Sequence, residues 1–250
     1  MDLRYDDKGT GPVLLLVHGH PFDRTMWHPQ LEHFSATHRV LVPDLRGYGE
    51  TPVRGTKTLL QTFAEDLADL LDHLHVDRCV LGGLSMGGQI AMEFQRRFPE
   101  RLTGLLLADT SPLAETGQGK QNRTEMAARL LREGMGPYAD EVLRKMVAPG
   151  SSEVDEHVLA MMRGARPEGA AAALRGRAER PDYVETLRTV RVPTLVVVGS
   201  EDEFTPLADA ELIHRSVPHS ELVVIEGAAH LPNLERPAEF NTALARLLSA

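Results

Sequence analysis

The fold is marked most clearly by the stretch Cys79-Val-Leu-Gly-Gly-Leu-Ser85-Met-Gly-Gly-Gln-Ile-Ala91. It contains a G-x-S-x-G pattern between a β-prone run and a helix-prone run. A serine held at a sharp strand-to-helix turn projects its hydroxyl into open space, and the residues two positions away on either side must be small. Gly83 and Gly87 meet that demand. The helix that follows also directs the positive end of its dipole towards an anion forming at Ser85.

The rest of the chain alternates between strand and helix signals, which indicates a mainly parallel sheet with helices on both faces. Apolar runs of the kind found in strands buried on both sides predict strands at 13–17, 39–42, 78–82, 102–107, 194–198 and 222–225. Helical spacing of apolar residues predicts helices at 59–74, 86–98, 206–216 and 237–248.

The alternation stops between residues 111 and 190. This stretch is helix-prone and interrupted by glycine and proline. We interpret residues 1–110 and 191–250 as one α/β core domain and residues 111–190 as an inserted helical cap. A length of 250 residues fits one such domain with an insertion. Five methionines in the insertion line an apolar pocket or fill the helix core, and the pattern does not decide between these roles.

Composition excludes several classes of function. The net charge of −9 is spread without long runs, which disfavours nucleic acid and anionic membranes as partners. No apolar run approaches the length of a membrane span. The first residues resemble no secretory leader and Cys79 is the only cysteine, so we expect a cytoplasmic protein. No P-loop, C-x-x-C or H-E-x-x-H motif is present, so we expect neither a cofactor nor a metal.

A serine hydroxyl needs a base to accept its proton, and that base needs an orienting acid. In open parallel sheets the chemistry gathers at the carboxyl ends of the strands. His230 follows the strand at 222–225, whereas His219 precedes it and His214 falls within a helix. We therefore predict that His230 is the base.

Two aspartates compete as the orienting acid. Asp202 follows the strand at 194–198, and Asp109 follows the strand at 102–107. Both give the chain order serine, acid, histidine. We favour Asp202, whose alternative role is that of a turn residue and helix N-cap.

Backbone amides near Ser85 are candidates for an oxyanion hole. Pro21 has no N–H, so His20 is the best-placed donor in the loop after the strand at 13–17. The second donor is the amide of Met86, directly after the serine. The side chain of His20 either rims the pocket or is solvated.

These motifs together resemble the α/β-hydrolase superfamily: His18-Gly-His-Pro, Asp44-Leu-Arg-Gly-Tyr-Gly49, Gly83-Leu-Ser-Met-Gly-Gly88, Gly199-Ser-Glu-Asp202 and Gly227-Ala-Ala-His230. The resemblance spans nearly the whole chain outside the cap. It implies a mostly parallel sheet of eight strands and a catalytic triad, which maps onto Ser85, Asp202 and His230. The elbow and the Met26-Trp27 segment are similar to those of bacterial arylesterases, cofactor-free perhydrolases and 3-oxoadipate enol-lactonases.

The resemblance implies a serine hydrolase that acts on small to medium carboxylic esters through an acyl-enzyme on Ser85. Hydrolysis of lactones or C–C bonds and perhydrolysis use the same triad, and fold does not choose among them. A ligand-binding receptor that keeps the fold is a further alternative. Haloalkane dehalogenation is disfavoured because that chemistry requires an aspartate at position 85. The expected partner is a small ester or lactone; the oligomeric state has no signal in the sequence.

Overall fold

The computed structural model describes residues 2–150 and 152–250, which form a single α/β body around one sheet. The described residues contribute seven strands: β1 Tyr5–Lys8, β2 Val13–Val17, β3 Arg39–Pro43, β4 Cys79–Leu84, β5 Leu102–Ala108, β6 Thr194–Gly199 and β7 Glu221–Ile225. Their spatial order is β1-β3-β2-β4-β5-β6-β7. Only β1 is antiparallel to its neighbour.

The expected count of eight strands is therefore wrong for the described part of the chain, although the mostly parallel sheet is confirmed. β1 and β7 form the two edges of the sheet. The described segments between the strands are helices, turns and loops, so none of them supplies a further strand to either edge.

Helices cover both faces of the sheet, as expected for parallel strands joined by crossovers. The α-helices of the described residues are α1 His28–Phe34, α2 Leu60–His73, α3 Met86–Arg97, α4 Gly117–Glu133, α5 Gly136–Met146, α6 Ser152–Gly164, α7 Pro167–Arg177, α8 Val184–Arg188, α9 Leu207–Ser216, α10 Pro232–Glu235 and α11 Pro237–Leu248. None of them combines the length and the apolar character needed to cross a membrane.

The core has two parts, one on each face of the sheet. On one face, α1 and α11 bury residues such as Leu31 and Phe240. On the other face, α2, α3 and α9 bury residues such as Phe63, Phe94 and Ile213. Since successive side chains of a strand point to opposite faces, Leu14 and Leu16 pack into the first cluster while Leu15 packs into the second.

The described residues of the segment 111–190 form the helices α4 to α8. Its α7 contacts the loop after β3 at backbone distance: a Cβ placed on Gly169 would lie 2.0 Å from the carbonyl oxygen of Gly47. The amide of Thr58 donates to the carbonyl of Ala172 (3.0 Å). These contacts place α7 against the residues that follow β3, whereas Leu187 of α8 is buried in the same core cluster as α2 and α3.

Candidate active site

Ser85 lies at the turn between β4 and α3, in a backbone conformation that is strained for a residue with a side chain (φ 57°, ψ −115°). The flanking glycines are required by close approach. A Cβ on Gly83 would lie 2.1 Å from the carbonyl oxygen of Gly87, and a Cβ on Gly87 would lie 2.1 Å from that of Val17. The small residues of the motif thus allow the strand, the turn and the helix to pack without separation.

The loop after β2 lies directly against this turn. A Cβ placed on Gly19 would be 3.2 Å from the Cβ of Ser85. The amides of His20 and Met86 donate to no acceptor among the described residues. Both amides are therefore available to a ligand bound beside Ser85.

His230 and Asp202 form a buried pair. Nδ1 of His230 lies 2.8 Å from Oδ2 of Asp202. The other carboxylate oxygen of Asp202, Oδ1, accepts from the amides of Phe204 (2.8 Å) and Thr205 (3.2 Å). Burial raises the pKa of Asp202, but the charge of His230 and the hydrogen bonds from His230, Thr205 and Phe204 outweigh it and lower that pKa. Asp202 is therefore held ionised, as an acceptor for an imidazole N–H.

Asp109, the rival acid, lies behind this pair. One ligand atom each from Asp109, Asp202 and His230 falls within 4.8 Å of the others. Oδ1 of Asp109 accepts from the amide of Gly199 (2.9 Å), while Oδ2 is buried without a hydrogen-bond partner among the described residues. Burial and the nearby charge of Asp202 raise the pKa of Asp109 well above its ordinary value. Asp109 therefore favours the protonated form, and the structure pairs His230 with Asp202.

The same three residues are close enough to share a metal ion, but two of the donor atoms, Nδ1 of His230 and Oδ2 of Asp202, are already paired with each other. The contact between His230 Nδ1 and Asp202 Oδ2 has the length of a hydrogen bond, and a bound cation would have to separate these two atoms. The hydroxyl of Thr205 also donates to Oδ2 of Asp202. This donor set fits an oriented imidazole better than a metal site.

The side chain of His20 is part of the cavity wall and is not solvated, since only 4% of the residue is exposed. Its Nδ1 lies 2.7 Å from the hydroxyl of Tyr48, and its Nε2 has no described partner. Burial, followed by the charges of Arg177 and Arg123, lowers the pKa of His20 well below its ordinary value. The ring is therefore neutral at pH 7.

Ser85, His20 and His230 line one cavity of about 300 Å³. The Ser85 hydroxyl makes no hydrogen bond within the described residues, and the ring of Phe204 lies 5.2 Å from that of His230. Of the five methionines in the insertion, Met146 lines this cavity, while Met135, Met161 and Met162 are buried in the helix core and Met126 packs against it.

Charged residues of the insertion also line the cavity, and they were not predicted from the sequence: Glu115, Arg123, Arg177 and Arg180. Arginines are frequent throughout 111–190 and follow no motif. Only the packing of α4 against α7 brings these particular side chains together, so no signal in the sequence distinguishes them from exposed arginines.

Comparison with known proteins identifies relatives along nearly the whole chain. The chain is 30% identical to 3-oxoadipate enol-lactonase 2 of Acinetobacter baylyi over 238 residues, which cover 93% of this chain and 87% of that protein. It is 28% identical to the pimeloyl-[acyl-carrier protein] methyl ester esterase of Aeromonas hydrophila, with 96% of each chain covered. The structure superposes on a malate-bound thermophilic esterase from Thermogutta terrifontis with a TM-score of 0.97, at 42% identity, covering 99% of this chain and 93% of the other.

The model of the alpha/beta hydrolase family matches residues 14–243. The matched range contains β2 to β7, the turn at Ser85 and the pair of Asp202 and His230. The chain therefore belongs to the alpha/beta hydrolase family and is a hydrolase with esterases and an enol-lactonase among its relatives.

Proposed function

We propose that this protein is a serine hydrolase that cleaves small to medium carboxylic esters through an acyl-enzyme on Ser85. His230 is the general base and Asp202 orients it. The amides of His20 and Met86 form the oxyanion hole. The observation that carries the proposal is that Ser85, on its strained turn, lines the same cavity as His230, whose Nδ1 is held by Asp202.

The hydrogen bond to Asp202 leaves Nε2 as the ring nitrogen of His230 that accepts the Ser85 proton. The serine oxygen then attacks the ester carbonyl, and the developing oxyanion is stabilised by the amides of His20 and Met86 and by the start of α3. His230 returns its proton to the leaving alcohol. A water activated by His230 then releases the acid product and restores the Ser85 hydroxyl.

A labelling experiment tests this mechanism. Wild-type protein is expected to react with a fluorophosphonate probe and to hydrolyse p-nitrophenyl acetate, and Ser85→Ala is expected to lose both while it keeps its circular dichroism spectrum. Ser111 lines the same cavity and provides a matched serine control, since Ser111→Ala is expected to retain labelling. Turnover retained by folded Ser85→Ala would exclude the mechanism. Absence of labelling on folded wild-type protein would favour the ligand-binding role.

Lactone hydrolysis is a second candidate, supported by the 30% identity to an enol-lactonase. Opening of a lactone uses the same steps, except that the leaving alcohol stays attached to the acyl group. A panel of simple esters, lactones and β-diketones, with peroxide added in a parallel series, separates the activities. Preferential turnover of lactones would favour this candidate, and turnover of β-diketones or formation of peracids would favour C–C hydrolysis or perhydrolysis.

We also propose that residues 111–190 act as a cap that shapes the substrate site. Three cavity-lining residues support this role: Arg123 on α4, Tyr138 on α5 and Leu174 on α7. With a volume of about 300 Å³, the cavity suits a small substrate.

A further inference from the structure

Arg177, the last residue of α7, is a buried cation in the wall of the Ser85 cavity. Only 8% of the residue is exposed. Its Nε donates to Oε1 of Gln89 (3.1 Å), and its two Nη groups have no acceptor among the described residues. No carboxylate of the described residues forms an ion pair with it. A buried charge without a counter-charge is unfavourable unless a ligand supplies one.

The neighbouring arginines do not compensate this charge; they increase it. Arg123 and Arg180 share a single carboxylate, that of Glu115, through Nε of Arg123 and through Nη1 of Arg180 at 3.0 Å. Burial, followed by the charges of Arg123 and Arg180, lowers the pKa of Arg177 well below its ordinary value. An anion beside Arg177 would offset both the desolvation of its guanidinium and the repulsion from the two neighbouring arginines.

The charged residues of the cavity wall indicate how many negative charges the bound anion should carry. Three arginines face two acids, Glu115 and Asp209, so the wall has one more positive than negative charge. A carboxylate balances this excess, whereas a phosphate monoester carries a charge closer to −2 at neutral pH. The planar guanidinium with two free Nη groups also matches the two oxygens of a carboxylate.

Gln89 connects this cation to the reacting serine. It lies one helical turn after Ser85 on α3, and its backbone N–H donates to the backbone carbonyl of Ser85 (3.1 Å). One turn corresponds to a rise of about 5 Å along the helix. Ser85 and Arg177 also line the same cavity of about 300 Å³, so one small substrate can contact both residues.

We propose that Arg177 anchors a carboxylate of the substrate, so that the preferred substrates are small esters or lactones that carry a free carboxylate a few carbons from the scissile carbonyl. The inference rests on the proposed hydrolase function. It adds the substrate class, which neither the triad nor the fold specifies.

Two esters that differ in charge test the inference: monomethyl succinate and the methyl ester of succinamic acid, in which a neutral amide replaces the carboxylate. The measured quantity is the ratio of their kcat/KM values, from methanol release at constant ionic strength. A hydrogen-bonded charge pair of this kind is worth about 10- to 100-fold. We expect wild-type protein to prefer the anionic ester by that factor and Arg177→Gln to lose most of the preference.

Arg175→Gln is the matched control, because Arg175 lies on the same helix outside the cavity, with a half-buried side chain that donates to the carbonyl of Thr56 (2.9 Å). This control is expected to keep the wild-type ratio. If Arg177→Gln does not fold, inhibition of wild-type protein gives the same information: succinamate, which carries one carboxylate, should inhibit hydrolysis of p-nitrophenyl acetate at concentrations at least about 10-fold lower than the neutral succinamide does.

The outcomes separate the inference from the function on which it rests. Wild-type protein that labels with fluorophosphonate and hydrolyses p-nitrophenyl acetate, yet shows no preference for monomethyl succinate and no selective inhibition by succinamate, would overturn the carboxylate subsite alone. An Arg177→Gln variant that folds and keeps the wild-type preference would also overturn it. Failure of labelling and of all ester turnover would instead remove the hydrolase proposal.

Discussion

Asp202→Asn replaces an acceptor by a donor at the atom that orients His230. The amide oxygen of the new Asn is expected to occupy the Oδ1 position, because two backbone amides, those of Phe204 and Thr205, donate there. Its NH₂ group then occupies the Oδ2 position and faces Nδ1 of His230. Two N–H donors cannot hydrogen-bond to each other, so the imidazole must carry its proton on Nε2 instead of Nδ1. Nε2 can then no longer accept the proton of Ser85.

The size of the loss follows from this change of tautomer. Exchange of the orienting aspartate for asparagine in a Ser-His-Asp triad reduces kcat by about 10,000-fold. At about 1.4 kcal/mol for each tenfold change, this corresponds to about 5.5 kcal/mol of lost transition-state stabilisation. The side chain keeps its size and its two backbone hydrogen bonds, so the fold is expected to remain intact.

Asp109→Asn is the matched variant for the kinetic assay. Its oxygen retains the hydrogen bond from the amide of Gly199, and its NH₂ group replaces the unpartnered Oδ2 and can donate to Asp202. Asn also tolerates the positive φ of this position (44°). With p-nitrophenyl acetate we expect kcat/KM of Asp109→Asn to stay within about tenfold of wild type, since the proposed pair of Asp202 and His230 remains.

The comparison of the two variants shows which aspartate orients His230. A large loss of kcat/KM in Asp109→Asn together with near-normal activity in Asp202→Asn would assign the orienting role to Asp109. Equal, small losses in both would show that no carboxylate orients His230 during turnover. Circular dichroism and the melting temperature of each variant report whether the fold is retained.

Three further predictions concern stability and reactivity. Burial raises the folded-state pKa of Asp109 above its unfolded value of about 3.9, so the contribution of its protonated form to stability is present at low pH and is lost as the pH rises. The melting temperature of Asp109→Asn minus that of wild type should therefore increase above about pH 4. A difference that stays constant with pH would contradict this assignment. Gly83→Ala places a Cβ 2.1 Å from the carbonyl oxygen of Gly87 and should lower the free energy of unfolding by about 3 kcal/mol or more. The control Gly136→Ala meets no atom within 4 Å and should not lower it. Chemical denaturation measures both variants, and equal stabilities would refute the close approach at Gly83. Burial raises the pKa of Cys79 to about 12, so Ellman's reagent should modify it only after unfolding, and rapid reaction of the native protein would contradict its burial.

The order of strands and helices was predictable because buried parallel strands are continuous apolar runs. The end of β4 was placed too early, at residue 82, since Gly83 has the composition of a turn. In the structure Gly83 and Leu84 continue the strand, because Gly83 pairs with Val17 of β2 and both residues pair with β5. β1 was not predicted from the sequence because it is a half-exposed edge strand and contains no apolar run.

The sequence by itself determined where a serine can stand on a tight turn and which histidine follows a strand at the same edge of the sheet. Those inferences depend on local sterics and on strand direction, which are properties of short segments. Only the tertiary structure decided which aspartate contacts His230, because Asp109 and Asp202 follow adjacent strands and satisfy the same order along the chain. It alone also decided that Arg177 is a buried cation with no counter-charge among the described residues, since burial and charge pairing depend on how α4 and α7 pack over the sheet.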